Sequence, residues 1–203
     1  WNQLFNDRVD EAYDSTDETG ATTMQTVSFD YRFNNLCNFK CRMCGDMLSS
    51  SWEAESRKNK TWNKQDSPWM ASPLREQIIK FQDTQVVQEF VEAVETKTIK
   101  EIYWCGGEPL MWDMHWKAMQ RIIELGFAKE VYVRYNTNLS RTSFKGTKLF
   151  DLLPQFKDWQ ICSSLDGTGE VGEYIRDGLN YDQWLRNFKE GMAVAKTTRE
   201  MRL

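Results

Sequence analysis

The sequence predicts an α/β fold in which short parallel strands alternate with helices. Three observations lead there. Segments of strand character recur at residues 25–33, 99–105, 130–135 and 158–164. Helical periodicity separates them, as in Val86, Val87, Phe90, Val91 and Val94,. Each strand ends in a polar or glycine-rich motif, the pattern of βα units whose strands pair in parallel through right-handed crossovers. The 203 residues suffice for one domain with a sizeable core,. Apolar residues at 40% and charged ones at 28% exclude a disordered chain,. The 26 basic and 30 acidic side chains leave a net charge of −4, with no global field to draw in nucleic acid or an anionic membrane,.

Residues 1–20 hold six acids, Asp7, Asp10, Glu11, Asp14, Asp17 and Glu18, against Arg8, so residues 1–24 read as an acidic, solvated tail and 25–203 as the core domain. In the first strand Val27, Phe29, Tyr31 and Phe33 alternate with polar partners until Asn34 and Asn35 break the pattern,. Residues 46–57 are polar and capable of helix, whereas 57–80, with Pro68 and Pro73, read as irregular. Arg57, Lys58, Lys60 and Lys64 surround Trp62 there; a solvated loop with one packed tryptophan is favoured over a nucleic-acid contact,. A helix is expected at 84–96, and Gly106-Gly107-Glu108-Pro109 ends the second strand. Trp116, Met119, Ile122 and Ile123 mark the next helix, with Gly126 as its cap,. After strand 130–135 come an Asn136-Thr137-Asn138 turn, a weak helix at 143–153 closed by Pro154, strand 158–164, a helix at 182–196 built on Trp184, Leu185, Phe188 and Met192, and a fifth strand from 201,. With Trp1 at one end and Leu203 inside a strand, the chain reads as a fragment lacking C-terminal parts.

No apolar run approaches the roughly 18 residues of a membrane span, and no secretory signal is present, so a soluble, cytoplasmic protein is expected. Five cysteines are too few for a disulfide scaffold, and Cys37, Cys41 and Cys44 crowd into eight positions,. Neighbours so close in sequence make poor disulfides, whereas a tight loop aims three thiolates at one metal centre. The cysteines, the glycine pair, Asn138 and Asp166 each follow a strand's C-terminal end, the edge where parallel α/β folds build their sites,.

LCNFKCRMCG, WCGGEPL, YNTNLS and SSLDG, in this order and spacing, resemble the radical S-adenosylmethionine (SAM) superfamily, especially members whose core precedes a SPASM or Twitch domain,. The resemblance covers residues 26–203 and implies a partial TIM-like (β/α)6 barrel of parallel strands, C-terminally truncated in this chain. It further implies a 4Fe-4S cluster on Cys37, Cys41 and Cys44, with one iron left open, and reductive cleavage of SAM to a 5′-deoxyadenosyl radical that abstracts hydrogen from a substrate. Gly106 and Gly107 resemble the glycines whose backbone meets the methionyl amino group, with no Cβ in the way. Glu108 would orient that loop or assist with the amino group; its alternative is a surface carboxylate. Asn138, Ser164 and Asp166 match positions that hydrogen-bond the ribose or methionyl portions, although Asn138 and Asp166 also suit plain turns. Arg176 would pair with the methionyl carboxylate, or stand exposed. A small-molecule or peptide substrate and an electron donor such as flavodoxin or ferredoxin would be the partners; membrane and nucleic acid are not expected.

Several positions depart from the pattern. Met43 stands where an aromatic residue often lies against adenine, Leu139 where glycine usually follows the TN pair, and Cys105 where Thr or Ser often precedes GGEP,. Cys105 and Cys162 read as packed strand residues, and His115 as surface or core. The competing reading is a zinc module using the three thiolates and a fourth ligand such as His115 or Cys105, contacting RNA through residues 57–64. Structural zinc sites close with four ligands, often in paired CxxC knuckles, and no second pair exists here.

Overall fold

The computed structural model describes residues 8–32, 34–60, 72–197 and 199–203. Along the chain run α1 (Arg8–Asp14), β1 (Ser28–Tyr31), α2 (Ser50–Asn59), α3 (Arg75–Phe81), α4 (Val87–Glu95), β2 (Glu101–Trp104) and α5 (Asp113–Glu124). They are followed by β3 (Tyr132–Thr137), α6 (Leu149–Leu152), β4 (Asp158–Ser163), α7 (Gly169–Ile175), α8 (Tyr181–Val194) and β5 (Met201–Arg202). The five strands form one parallel sheet whose spatial order is their order in the chain.

Register decides which side chains share a face. Phe29, Ile102, Val133 and Trp159 stand side by side, and Trp104, Tyr135, Ile161 and Met201 make the next row. These residues belong to or pack against the buried core. The alternate positions are polar: Asp30, Tyr103, Arg134 and Gln160 form one row, and Asn136, Cys162 and Arg202 another. A parallel sheet covered on both faces has near-continuous apolar strands; the alternation here means that, among the described residues, the helices cover one face only,. A sheet wound in one direction with a single helical layer is part of a barrel rather than a doubly wound sheet.

The helical layer interlocks with the apolar face through large rings. Phe90 of α4 meets Trp104 edge-on at 5.7 Å and Phe29 at 5.9 Å. Trp116, Met119 and Ile122 line the buried side of α5. At Gly191 of α8 an added Cβ would lie 2.7 Å from Met201 Sδ and 2.9 Å from a Phe150 ring carbon, so helix and strand touch there without a side chain between them.

Two expectations are corrected, and two helices add to the sequence reading. Part of the acidic tail is ordered as α1, although no residue of that helix is buried. The end of the irregular 57–80 stretch is helical, since α3 runs through a π-helical turn at Gln82–Val86 into α4; residues 61–71, with Trp62, Lys64 and Pro68, lie outside the described residues. The helix expected at 143–153 is split: Ser143–Phe144 and Thr147–Lys148 pair as a hairpin through Lys145 and Gly146, both at positive φ, the conformation of a tight two-residue β-turn,. Helix α7 was not anticipated. Among the described residues no helix is long and apolar enough to cross a membrane.

Ile102 is completely buried in the second strand, and Ile102→Ala should cost about 2–5 kcal/mol from lost burial and the cavity left behind,. Urea denaturation checks it; a loss below about 0.5 kcal/mol would contradict the packing described.

Candidate functional site

The cysteine loop leaves β1 and is held by the helix that follows it. Ser49 caps α2, its Oγ accepting from Trp52 N (3.3 Å) and donating to Phe39 O (2.5 Å),. Ser50 Oγ accepts from Cys37 N (3.0 Å), Ser51 Oγ donates to Cys37 O (2.8 Å), and Trp52 Nε1 donates to Cys41 O (2.9 Å). Lys40–Cys41 pairs antiparallel with Arg176–Asp177, closing the loop from the other side. Nothing in the periodicity of the sequence announces these contacts; the run of three serines ahead of Trp52 is the signal that would have found them.

All five cysteines are free, with Cys41 buried and Cys37 and Cys44 half-buried. Burial pushes the Cys41 thiol up to about 11, against the nearby Arg176 charge, and also raises Cys37. Donors face the sulfurs: Phe39 N at 3.5 Å and Asn138 Nδ2 at 4.0 Å from Cys37, and Arg176 Nη1 at 3.9 Å from Cys41. Such donors suit thiolates, the state that ligates metal. Among the described residues no three His, Cys, Asp or Glu side chains gather around one ion position. Zinc, at about 2.3 Å from each sulfur, would draw thiolates to within about 4 Å of one another, whereas a cuboidal cluster takes each on a different iron. Three thiols on one loop, two of them facing N–H donors, are a donor set that such a cluster can take,.

Gly106 and Gly107 adopt positive φ, 78° and 54°. A Cβ on Gly106 would lie 2.7 Å from Arg32 Cα, and one on Gly107 2.5 Å from Leu36 O. The space left by their missing side chains is thus filled by the backbone entering the cysteine loop. Glu108 N donates to Leu36 O (2.7 Å). The Glu108 side chain is buried, not a surface carboxylate: Oε1 accepts from Leu110 N (3.1 Å) and Thr137 Oγ1 (2.7 Å), and Oε2 from Asn138 N (2.6 Å). Burial pushes its carboxyl up to about 7 even with these donors opposing the shift,.

Asn138 turns toward the cysteine loop, its Nδ2 donating to Asn38 Oδ1 (3.0 Å) and its Oδ1 accepting from Ser140 N (2.9 Å). Leu139 keeps the left-handed turn that a glycine would take, at φ 53°, with its side chain fully buried. Ser164 N donates to Thr137 O (2.8 Å), so the fourth strand's rim adjoins the third's. Asp166, expected at the ribose or methionyl portions, and Arg176, expected at the methionyl carboxylate or exposed, form an ion pair at 2.6 Å. Met43, between Cys41 and Cys44, is exposed. Gly107, Glu108, Asn138 and Arg176 thus contact the cysteine loop or the residue leading into it, Gly106 lies against Arg32 ahead of it, Asp166 reaches it through Arg176, Ser164 reaches it through Thr137 and Glu108, and Met43 is an exposed residue of the loop itself.

The zinc reading loses its fourth ligand. His115 is buried among Trp104, Trp116 and Tyr135, bonds the Tyr135 hydroxyl at 2.9 Å, and is pushed down to about 3 by burial. Cys105 Sγ donates to Asp30 Oδ1 (2.9 Å). Cys162 belongs to the polar face of the sheet rather than the core. A groove of about 570 Å³ between α1 and the approach to β1 holds none of the residues above.

A parallel sheet with its polar motifs gathered on the rim belongs to the class of α/β proteins that bind ligands at the C-terminal ends of their strands. Within that class the chain is a member of the Radical SAM superfamily, whose sequence profile matches residues 31–194, and it is a radical SAM enzyme. No curated protein matched the chain.

Gly107→Ala should displace the cysteine loop, because the new methyl group meets Leu36 O and the residue is held at positive φ,. Iron bound per chain after anaerobic reconstitution should fall to less than about half of wild type, as expected where only glycine fits; unchanged iron would show that the loop yields without consequence. Glu108 makes stability depend on pH. Its folded pKa, about 7, lies above the unfolded value, so the fold keeps this proton longer and loses stability as pH rises from about 4.5 through 7,. The cost of Glu108→Gln, measured as a difference in urea midpoint, should therefore shrink between pH 5 and pH 8. A cost that grows with pH would mean that the carboxyl is held ionised.

Proposed function

We propose that the enzyme holds a 4Fe-4S cluster on Cys37, Cys41 and Cys44 and cleaves SAM reductively to a 5′-deoxyadenosyl radical that takes hydrogen from a substrate. The observation that carries this reading is Glu108, whose backbone bonds the cysteine loop while its carboxylate bonds Thr137 and Asn138, drawing three strand ends into one site. When bound, the cluster supplies one electron to the sulfonium of SAM and an open iron to orient it. Among the described residues the carbonyls of Gly106 and Gly107 accept no hydrogen bond, which leaves them free for the methionyl ammonium group. Arg176, fixed by Asp166, turns a guanidinium edge toward Cys41 and offers its remaining donors to the methionyl carboxylate,. Asn138, Ser164 and Asp166 supply short polar groups to the ribose or methionyl portions, and Met43 covers adenine.

The substrate, a small molecule or a peptide, would lie against the uncovered polar face of the sheet, where Asp30, Tyr103, Arg134 and Gln160 stand in register. Residues 25–203 would form the core that performs this chemistry, and likeness to SPASM and Twitch members extends the substrate range to peptides. The enzyme would act in the reducing cytoplasm, where free thiols persist, and take its electron from a flavodoxin or ferredoxin.

Alanine at Cys37, Cys41 or Cys44 should abolish the visible absorbance of the reconstituted cluster, and Cys105→Ala and Cys162→Ala should retain it. Wild type reduced with dithionite should convert SAM to 5′-deoxyadenosine, read by chromatography. Iron retained in the loop variants but lost in the controls would refute the ligand assignment; methylthioadenosine as the sole product would refute the radical reaction.

A further inference from the structure

We infer that Arg176 and Asn138 act on the iron–sulfur cluster itself, raising its reduction potential through the sulfurs of Cys41 and Cys37, and that Asp166 and Asn38 are the positioning residues that aim them. The inference rests on the cluster reading above and goes beyond it, because that reading uses Arg176 and Asn138 only to bind SAM. Backbone register brings Arg176 to its sulfur. Cys41 and Arg176 stand directly opposite each other in the antiparallel pairing that closes the loop, and Arg42 N donates to Ile175 O at 2.9 Å beside them. Residues so placed share a face, with Cβ atoms about 4.5–5.5 Å apart. The Arg176 guanidinium accordingly has its Nη1 3.9 Å from Cys41 Sγ, while its Nε is tied to Asp166 Oδ2 at 2.6 Å. The side chain is only 15% exposed, so little water screens its charge from the sulfur,.

Hydrogen-bond accounting fixes the direction of Asn138. Its Oδ1 accepts from Ser140 N at 2.9 Å, and a backbone N–H can only donate, so the amide nitrogen must face the other way, toward the cysteine loop,. A primary amide has two hydrogens to give. One goes to Asn38 Oδ1 at 3.0 Å, and the other is left for Cys37 Sγ, 4.0 Å from Nδ2. Asn38 in turn donates from Nδ2 to Ser140 Oγ at 3.0 Å, which closes a ring of Asn38, Asn138 and Ser140 around the donor. The sign of the effect follows from electrostatics. Reduction adds negative charge to a cluster that its thiolates have already made negative, so a cation or an N–H at a ligating sulfur favours the reduced state. Burial works against that state, and Cys41 and its neighbour Phe39 are buried,. Arg176 and Asn138 thus offset the penalty that an enclosed loop places on the incoming electron. Asp166 draws off part of the Arg176 charge, but it also holds the guanidinium against the sulfur.

The test is a potentiometric titration of the reconstituted intact enzyme without SAM, followed by the electron paramagnetic resonance of the reduced cluster. At a given potential Arg176→Gln should show about tenfold less reduced relative to oxidised cluster, equivalent to about 59 mV for a one-electron couple, and Asn138→Leu about threefold less. Arg121→Gln, which removes an exposed cation from α5, should change the ratio less than about twofold,. A merely structural role would lower the iron content without moving the midpoint of the clusters that remain, so every ratio is taken per cluster bound. Should both variants fail to fold, wild type carrying isotope-labelled arginine still decides the matter, because pulsed electron paramagnetic resonance should show an arginine nitrogen coupled to the reduced cluster. Wild-type midpoints in Arg176→Gln and Asn138→Leu, no arginine coupling, or an effect of these variants confined to the signal change on adding SAM would each overturn the proposal. Iron content and dithionite reduction of the same samples separate the two readings: a wild type without a reducible cluster refutes both, whereas a reducible cluster whose midpoint ignores these variants refutes the tuning role alone.

Discussion

Burial of the Glu108 carboxylate between three loops is the constraint around which the rim is arranged. A carboxylate away from water must find hydrogen bonds, and this one takes three, from Leu110 N, Thr137 Oγ1 and Asn138 N,. Two of those donors come from the third strand's end, while Glu108 N reaches back to Leu36. The rims of β1, β2 and β3 are therefore not independently adjustable. Gly106 and Gly107 follow from the same requirement, since a chain that passes within contact of Arg32 and Leu36 has no room for Cβ atoms. Rigid loops held in this way suit a site that must position a reactive centre without reorganising.

The single helical layer has the opposite consequence for the other face of the sheet. There the charges neutralise one another: Arg32 pairs with Asp30 at 3.1 Å, Arg134 pairs with Glu101 at 3.2 Å, and the Arg134 guanidinium lies 4.6 Å over the Tyr103 ring. Cys105 opens onto this side, and its thiol, pushed up to about 12 by burial and by Asp30, stays protonated. Burial raises Cys37 and Cys41 as well, but what faces those two sulfurs is amide and guanidinium donors rather than a carboxylate,. Polar, internally paired and uncovered by helices, this face is suited to a polar ligand rather than to another apolar layer.

The strands were legible because period-two alternation and the motifs at their ends reinforce each other, and the cysteines because three thiols within eight positions can converge on a metal centre but not pair well with one another,. What escaped has particular physical causes. Helix α3 buries no residue, so Ile78 and Phe81 produce no apolar stripe to read. The 143–153 segment has helical composition, but Gly146 and Lys145 at positive φ favour the hairpin. Ser49, Ser50 and Ser51 act on residues ten to fourteen positions earlier, a range that no local pattern encodes. The role of Glu108 was open because burial, the deciding fact, arises only when loops distant in sequence meet.

Leu139 shows how the same rim tolerates a locally unfavourable residue. Placing a leucine in the left-handed region costs about 1–2 kcal/mol relative to glycine. Its side chain is fully buried, and burial of a leucine contributes about 1.5–3 kcal/mol, enough to offset the backbone cost,. Thr137 Oγ1 accepts from Leu139 N at 2.9 Å while donating to Glu108, so the strained turn is fixed by the network that fixes the carboxylate. On its other side Leu139 O accepts from Asn187 Nδ2 of α8 at 2.8 Å. The turn that aims Asn138 at the cysteine loop is therefore set by its surroundings rather than by its own conformational preference, and a glycine there would keep the φ but lose the anchor in the core.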